Sequence, residues 1–263
     1  MDYKKINKEA WNKRTEAHLE GQFYEIDAFK AGKTSLKEIE LALIGNVRDK
    51  KILHLQCHFG QDSLSLSRMG ASVTGVDLSD KAIEAAETLN KELGLDATFI
   101  CCAIDDLPNH LDEKFDMVYA TYGVVGWHPE LTNWFQIAAS YLRPGGQLVL
   151  AEFHPMVWMF DENFDQIIYD YFNTQTFHEQ IGYSYGSDSR YIDARDISWN
   201  HPISDVLNAI IGSGFTIAQF DEYNYSPYDL WRDTTEVNPG QFFPTQYGGK
   251  VPLVYSVMGH LIA

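Results

Sequence analysis

The stretch from Lys51 to Ser79, KILHLQCHFGQDSLSLSRMGASVTGVDLS, constrains the fold of this chain more than any other. ILHLQC is a short apolar strand, QDSLSLSRMG a helix closed by Gly70, and SVTGVDLS a second strand that stops at an N-capping Ser79. Together they make one crossover unit. A strand, turn, helix and strand that close on a carboxylate suit a nucleotide, because such a ligand lies across the strand ends while the acid reaches its ribose hydroxyls. The turn itself is poor in glycine.

The alternation continues beyond Ser79. Ala82, Ala86, Leu89 and Leu93 share one face of a helix ended by Gly94, ATFICCA supplies a third strand, and FDMVYATYG a fourth. Leu131, Trp134, Phe135, Ala138 and Leu142 form an amphipathic helix that breaks at Arg143-Pro144-Gly145-Gly146 before the strand QLVLAEF. Such alternating units imply an α/β fold with a parallel, doubly wound sheet.

Ahead of this core, residues 1–45 read as a helical prefix, with Ile6, Ala10, Lys13 and Ala17 on one side of its first helix and Leu36, Ile39, Leu43 and Ile44 periodic in its last. Between them lies GQFYEIDAFKAGKT, whose Phe23, Tyr24 and Phe29 either pack on the core or form a flap over a ligand. Residues 156–200 hold many aromatics among polar residues without a helical period. They read as an insertion with some antiparallel strand, placed as a lid beside the sheet edge. A helix around Val206 and Ile210, the strand FTIAQFDEY, an irregular stretch around SPYDLWRDTTEVNPGQFFPTQYGG and the strand PLVYSVMGHLIA follow.

With 263 residues, 45% of them hydrophobic, the chain has ample material for a core. A formal charge of -17 opposes a phosphate-tracking surface, so no nucleic-acid partner is expected. No apolar run approaches the roughly 18 residues of a membrane helix, and MDYKKINKEAWNKR lacks the apolar core of a signal peptide. A cytoplasmic protein with no membrane partner, monomeric or homodimeric, is the expectation. Cys57, Cys101 and Cys102 read as reduced thiols. His54, Cys57 and His58 raise the question of a metal, but Cys57 points across the strand from His54 and no second ligand pair lies nearby, so no metal is expected.

Four strings in order, ILHLQCHFG, VTGVDLS, ICCAIDDLP and LRPGGQLVLAEF, resemble the class I S-adenosylmethionine-dependent methyltransferases over residues 46–155. The resemblance implies a doubly wound, mostly parallel seven-stranded sheet with helices on both faces. Its last strand is inserted antiparallel, and residues 215–224 and 253–262 can supply that pair. It implies a core of residues 46–155 and 201–263, capped by the prefix and the 156–200 lid, with S-adenosyl-L-methionine as cofactor and S-adenosyl-L-homocysteine as product.

Carried over residue by residue, it has Asp77 accept from both ribose hydroxyls with Leu78 against the adenine. Ala103, Ile104 and Asp105 lie near the adenine edge, where the Ile104 N–H meets a ring nitrogen and, because Ala103 replaces the usual acid, Asp105 or Asp106 must supply the carboxylate for the exocyclic amine; Thr121, Tyr122 and Gly123 lie beside the methionine moiety. At the first turn the family carries an acid and then three alternating glycines, where this chain has His54, Gln56, His58 and Gly60. Only the last glycine survives, so the turn must adopt a geometry that Gln56 and His58 tolerate, or the cofactor sits further away. His54, Gln56, Cys57 and Gly60 are still expected at the cofactor, joined by Tyr24 from the prefix.

Methyl transfer is an in-line displacement in which the cofactor carries the difficult chemistry and the protein aligns the reactants. A base is optional; His128 in GWHP and His154 in EFHP are the candidates, each just beyond a strand end. Trp127, Trp158 and Tyr169 are candidates to stack on a small-molecule methyl acceptor. Two rival readings are a protein that binds the cofactor or its product without turnover, and a dinucleotide oxidoreductase. The second lacks a G-x-G-x-x-G after the first strand.

Overall fold

A computed structural model describes residues 2–161, 163–186, 190–231 and 233–262. The prefix holds α1 (Tyr3–Glu20), a short α2 (Ile26–Lys30) and α3 (Glu38–Ile44). Then come β1 (Lys51–Leu55), α4 (Gln61–Arg68), β2 (Ser72–Asp77), α5 (Asp80–Glu92), β3 (Thr98–Cys101), β4 (Phe115–Thr121), α6 (Thr132–Tyr141) and β5 (Leu142–Phe153). After these follow β6 (Thr176–Ile181), β7 (Ala194–Trp199), α7 (Ile203–Gly212), β8 (Phe215–Tyr223), β9 (Thr234–Asn238), β10 (Gln241–Pro244) and β11 (Val254–Leu261).

Seven strands make one sheet in the order β3-β2-β1-β4-β5-β11-β8. β1 to β5 run parallel, and β11 lies antiparallel between β5 and β8, as the resemblance implied. The chain winds outward from β1 in one direction and from β4 in the other, so a crevice opens beyond the carboxyl ends of these two neighbours. Both sheet faces are covered. On one, Trp134, Phe135 and Ala138 of α6 and Val206 and Ile210 of α7 pack on Leu53, Val118 and Leu148. On the other, Leu64 and Leu66 of α4, Leu89 of α5 and Leu43 and Ile44 of α3 pack on Ile52, Val73 and Met117.

The prefix is therefore divided. α3 belongs to a core layer, whereas α1 docks on β7 of the insertion. Asn7 acts there as an extra strand partner: its side-chain amide donates to the Ile197 carbonyl and accepts from the Ile197 N–H, both at 2.8 Å. An ion pair between Arg14 and Asp196 adds to the seam, and Ala10 and Ala17 meet Ile181 and Ile192. The insertion contains the expected antiparallel pair, β6 with β7.

Two expectations need correction. The stretch after β8 is not irregular: β9 and β10 form a hairpin turned through Gly240 at φ 74°. Trp231, Phe243 and Tyr247 join Phe160 and Phe164 in a cluster that ties this hairpin to the first insertion. Nor does Arg143-Pro144-Gly145-Gly146 separate helix from strand; α6 ends at Tyr141 and β5 begins at Leu142, with a register shift against β4 at this point.

Replacing Asn7 by Ala removes both bonds and leaves two buried backbone groups of Ile197 unpaired, a cost of about 2 to 4 kcal/mol to the α1–β7 seam. Hydrogen exchange on the Asn7→Ala variant is expected to show faster exchange across β7 and α1 with β1–β5 unchanged.

Candidate functional site

A cavity of about 820 Å³ lies beyond the carboxyl ends of β1, β2 and β4, under α1, the insertion and the second hairpin segment. Its floor is the first turn. Gln56, His58 and Gly60 have φ of 57°, 50° and 78°, so the turn keeps the left-handed backbone at all three alternate positions although two are not glycine. For a side-chain-bearing residue this backbone costs on the order of 1–2 kcal/mol, which neighbouring contacts must offset. The Asp77 carboxylate supplies one: Oδ2 accepts the His58 N–H and Oδ1 the Ser79 N–H, each at 2.8 Å. Burial pushes its carboxyl up to about 6, opposed by these N–H groups.

Gln56 is held through its amide. Nε2 donates to the Val124 carbonyl at 3.1 Å, while Oε1 accepts from Trp134 Nε1 and from His128 Nε2, both at 2.9 Å. His58 Nε2 pairs with His18 Nδ1 of α1 at 3.0 Å, and His18 Nε2 meets Ser184 Oγ at 2.6 Å. This row stitches the turn to the prefix and the insertion. Burial lowers His18 to about 3 and His58 well below the ordinary imidazole value, so both are neutral near pH 7.

The wall beyond β4 is shaped by Glu152. Its carboxylate accepts the N–H of Gly123 and Val124 at 2.6 Å each and of Val125 at 3.1 Å. Burial raises its carboxyl, with these N–H bonds pulling the other way. Tyr122 enters this loop at φ 51°, its hydroxyl donating to Glu40 Oε2 at 2.7 Å. Asp62, in the first turn of α4, lines the cavity and accepts from Thr121 Oγ1 at 3.4 Å; burial raises its carboxyl too.

Residues 52–146 match the family model of a methyltransferase domain. The uncharacterized methyltransferase YbaJ of Bacillus subtilis is 24% identical over 82% of this chain and 89% of its own. The ubiquinone biosynthesis O-methyltransferase of Idiomarina loihiensis is 29% identical over 43% of this chain and 48% of its own, and that of Chromobacterium violaceum 28% over 38% and 43%. The chain thus spans less than half the length of these two enzymes. An S-adenosylmethionine-dependent methyltransferase from Clostridium acetobutylicum shares the fold, with a TM-score of 0.59 at 16% identity over 86% of this chain and 89% of that one. So does magnesium protoporphyrin IX methyltransferase from Synechocystis, solved with bound S-adenosylmethionine, at 0.54 and 16% over 99% and 98%. Residues 52–146 are thus similar to a methyltransferase domain, and the chain as a whole has the fold of S-adenosylmethionine-dependent methyltransferases.

The cavity gathers nearly every residue singled out from the sequence. His54, Gln56, Cys57, Gly60, Asp77 and Leu78 line it from the first crossover unit. Ala103, Ile104 and Asp105 line it after β3, where Ile104 opens a 3-10 turn whose leading N–H groups lack an internal partner. Asp105 pairs with Lys4 of α1, whereas Asp106 turns to Asn109 and His110. Thr121, Tyr122 and Gly123 border the opposite side. Tyr24, Trp127, Trp158 and Tyr169 come from the cap, Tyr24 with its hydroxyl 3.3 Å from that of Tyr185.

His154 is the exception. It does not line the cavity, although its neighbours Phe153 and Pro155 do. Its Nδ1 accepts the Met156 N–H at 3.1 Å and its Nε2 meets Glu222 Oε1 at 2.9 Å, so neither nitrogen is left for a substrate. His54 is likewise committed, with Nδ1 on Ser63 Oγ at 2.8 Å and burial holding it near 3. No three His, Cys, Asp or Glu among the described residues group to hold a metal. No helix among them is long and apolar enough to cross a membrane.

Glu152 and Asp62 escaped the sequence reading. A carboxylate at the inward position of a strand otherwise reading QLVLA was the available signal for Glu152, since a buried charge needs partners. With the Asp77 carboxyl near 6, its charged, strongly accepting form predominates only above that pH. Calorimetric titration with S-adenosylhomocysteine from about pH 8 down to about pH 5 is expected to show affinity falling as pH drops through about 6, with this dependence lost in Asp77→Asn.

Proposed function

We propose that this chain transfers a methyl group from S-adenosylmethionine to a small-molecule acceptor enclosed by the cap. The observation that carries the reading is the Asp77 carboxylate at the end of β2, beside a turn left-handed at Gln56, His58 and Gly60, opening into one large cavity. In it, Asp77 holds the ribose hydroxyls, Leu78 and the Ile104 N–H meet the adenine, and Asp105 takes the exocyclic amine. His54 is neutral where the family carries an acid, and Asp62 takes over that charge, receiving the cofactor's ammonium between Thr121 and the turn.

Bound there, the sulfonium supplies an activated methyl group; the protein's own part is alignment and exclusion of water. The remaining wall, including Trp127, Phe153, Trp158, Tyr169, Tyr228 and Trp231, is aromatic and suits an apolar or aromatic acceptor. A formal charge of -17 argues against a nucleic-acid acceptor. His128, on the rim of this region, is the proton acceptor.

Asp77→Ala removes charge-assisted hydrogen bonds worth about 1.5 to 3 kcal/mol, so S-adenosylhomocysteine is expected to bind roughly 10- to 150-fold more weakly by calorimetry. Asp62→Asn is expected to weaken it less while leaving NAD unable to bind either variant. Binding of NAD in place of S-adenosylhomocysteine, or unchanged affinity in Asp77→Ala, overturns the reading. Screening small-molecule extracts with a labelled methyl donor then identifies the acceptor.

A further inference from the structure

Gln56 stands where the family has a glycine, in a backbone conformation that glycine adopts freely, and all its amide atoms are spoken for. The partners determine which way the amide faces. Trp134 Nε1 is a donor only, so the atom 2.9 Å from it is the Gln56 oxygen; the Val124 carbonyl is an acceptor only, so the atom 3.1 Å from it is the nitrogen. That same oxygen lies 2.9 Å from His128 Nε2. An amide oxygen cannot donate, so His128 Nε2 carries the hydrogen. In a neutral ring, Nδ1 then holds the lone pair, and the hydrogen bonds of His128 among the described residues run through its Nε2 and its backbone, not through Nδ1. The ring backbone is steadied from behind, where His201 Nε2 donates to the His128 carbonyl at 2.7 Å.

We infer that Gln56 is a positioning residue that locks His128 in its Nε2–H tautomer, leaving Nδ1 as a ready proton acceptor in the methyltransferase cavity. The chain of restraint runs Trp134 indole, Gln56 amide, His128 imidazole, and starts from a core side chain whose own place is set by packing. It explains why the turn keeps a strained glutamine: a glycine there would satisfy the backbone and leave the imidazole free to take either tautomer. The use of the lone pair rests on the methyltransferase reading, whereas the tautomer does not. On that reading, the acceptor's O–H or N–H proton moves to Nδ1, giving an imidazolium, and the electron pair left on the acceptor atom forms the new bond to the methyl carbon as the carbon–sulfur bond breaks, its electron pair passing to sulfur and leaving S-adenosylhomocysteine. An acceptor class with a proton to give, a hydroxyl or an amine, follows. Burial agrees in direction, lowering His128 to about 4 and so keeping the ring neutral near pH 7.

The test is nitrogen NMR of the full chain labelled with [15N]histidine, His128 being assigned by its loss in His128→Asn. We expect the long-range proton–nitrogen pattern of an Nε2–H imidazole, with a titration near 4. Gln56→Gly is expected to give mixed tautomers of the His128 ring. Gln56→Glu, which still accepts from both donors, is expected to keep the Nε2–H form while its charge raises the titration. An Nδ1–H imidazole in the native protein, or one unaltered by Gln56→Gly, overturns the inference. Failure of S-adenosylhomocysteine to bind the native chain would instead overturn the methyltransferase reading and leave the tautomer result standing.

Discussion

The site depends on one carboxylate placed where two backbone segments need it. Asp77 ends β2, and its two oxygens collect the N–H groups of His58 and Ser79, so the first turn and the start of α5 are held to a single point. Without that point the left-handed backbone at Gln56 and His58 would have no electrostatic reason to persist. Each of those residues then uses its side chain to recruit something else: Gln56 the β4 loop and α6, His58 the prefix and the insertion. A second carboxylate, Glu152, performs the corresponding task for the loop after β4, gathering consecutive N–H groups that otherwise would be buried without partners. Two buried acids, one on each side of the switch point, thus set the shape of the cavity from backbone contacts.

The parallel core was legible because its signals are local. Strand and helix alternate with their own periods, Gly70 and Gly94 end helices where the chain must reverse, and Asp77 follows a strand directly. What stayed hidden depends on contacts between distant segments. The hairpin of β9 and β10 carries Asn238-Pro239-Gly240 between β-forming residues, a usable turn signal, but its aromatics gain their place only against Phe160 and Phe164, roughly eighty residues earlier in the chain. His154 and His128 look alike in the sequence, each followed by proline after a strand. Only the facing of the chain separates them, with one in the cavity and the other locked to Glu222. The role of Gln56 was illegible for the same reason, since nothing near it in sequence announces Trp134 or His128.

The cap is assembled from three separate parts of the chain, and its parts hold one another as much as they hold the core. α1 completes β7 through Asn7, Arg14 lies 5.0 Å and 5.5 Å from the rings of Trp11 and Trp127, and Ser184 closes the row that begins at His58. Gly186 allows this closeness: a Cβ there would fall 2.5 Å from the His18 ring. Prefix and insertion are therefore coupled through the first turn, the same element that forms the floor of the cavity.

Gly60 differs from its two neighbours in the turn in a way that reaches beyond this chain. A Cβ there would stand 2.7 Å from the Phe99 ring and 3.0 Å from the Ala86 Cβ, whereas Gln56 and His58 have the cavity to extend into. Drift at the first two positions has only backbone energy to overcome, and a new side chain can recover it by finding partners; drift at the third also meets a wall. A search template built on three obligatory glycines would pass over such chains, while one demanding only the last glycine and the strand-end acid would keep them, and would treat the two open positions as places where related proteins record what each of them binds.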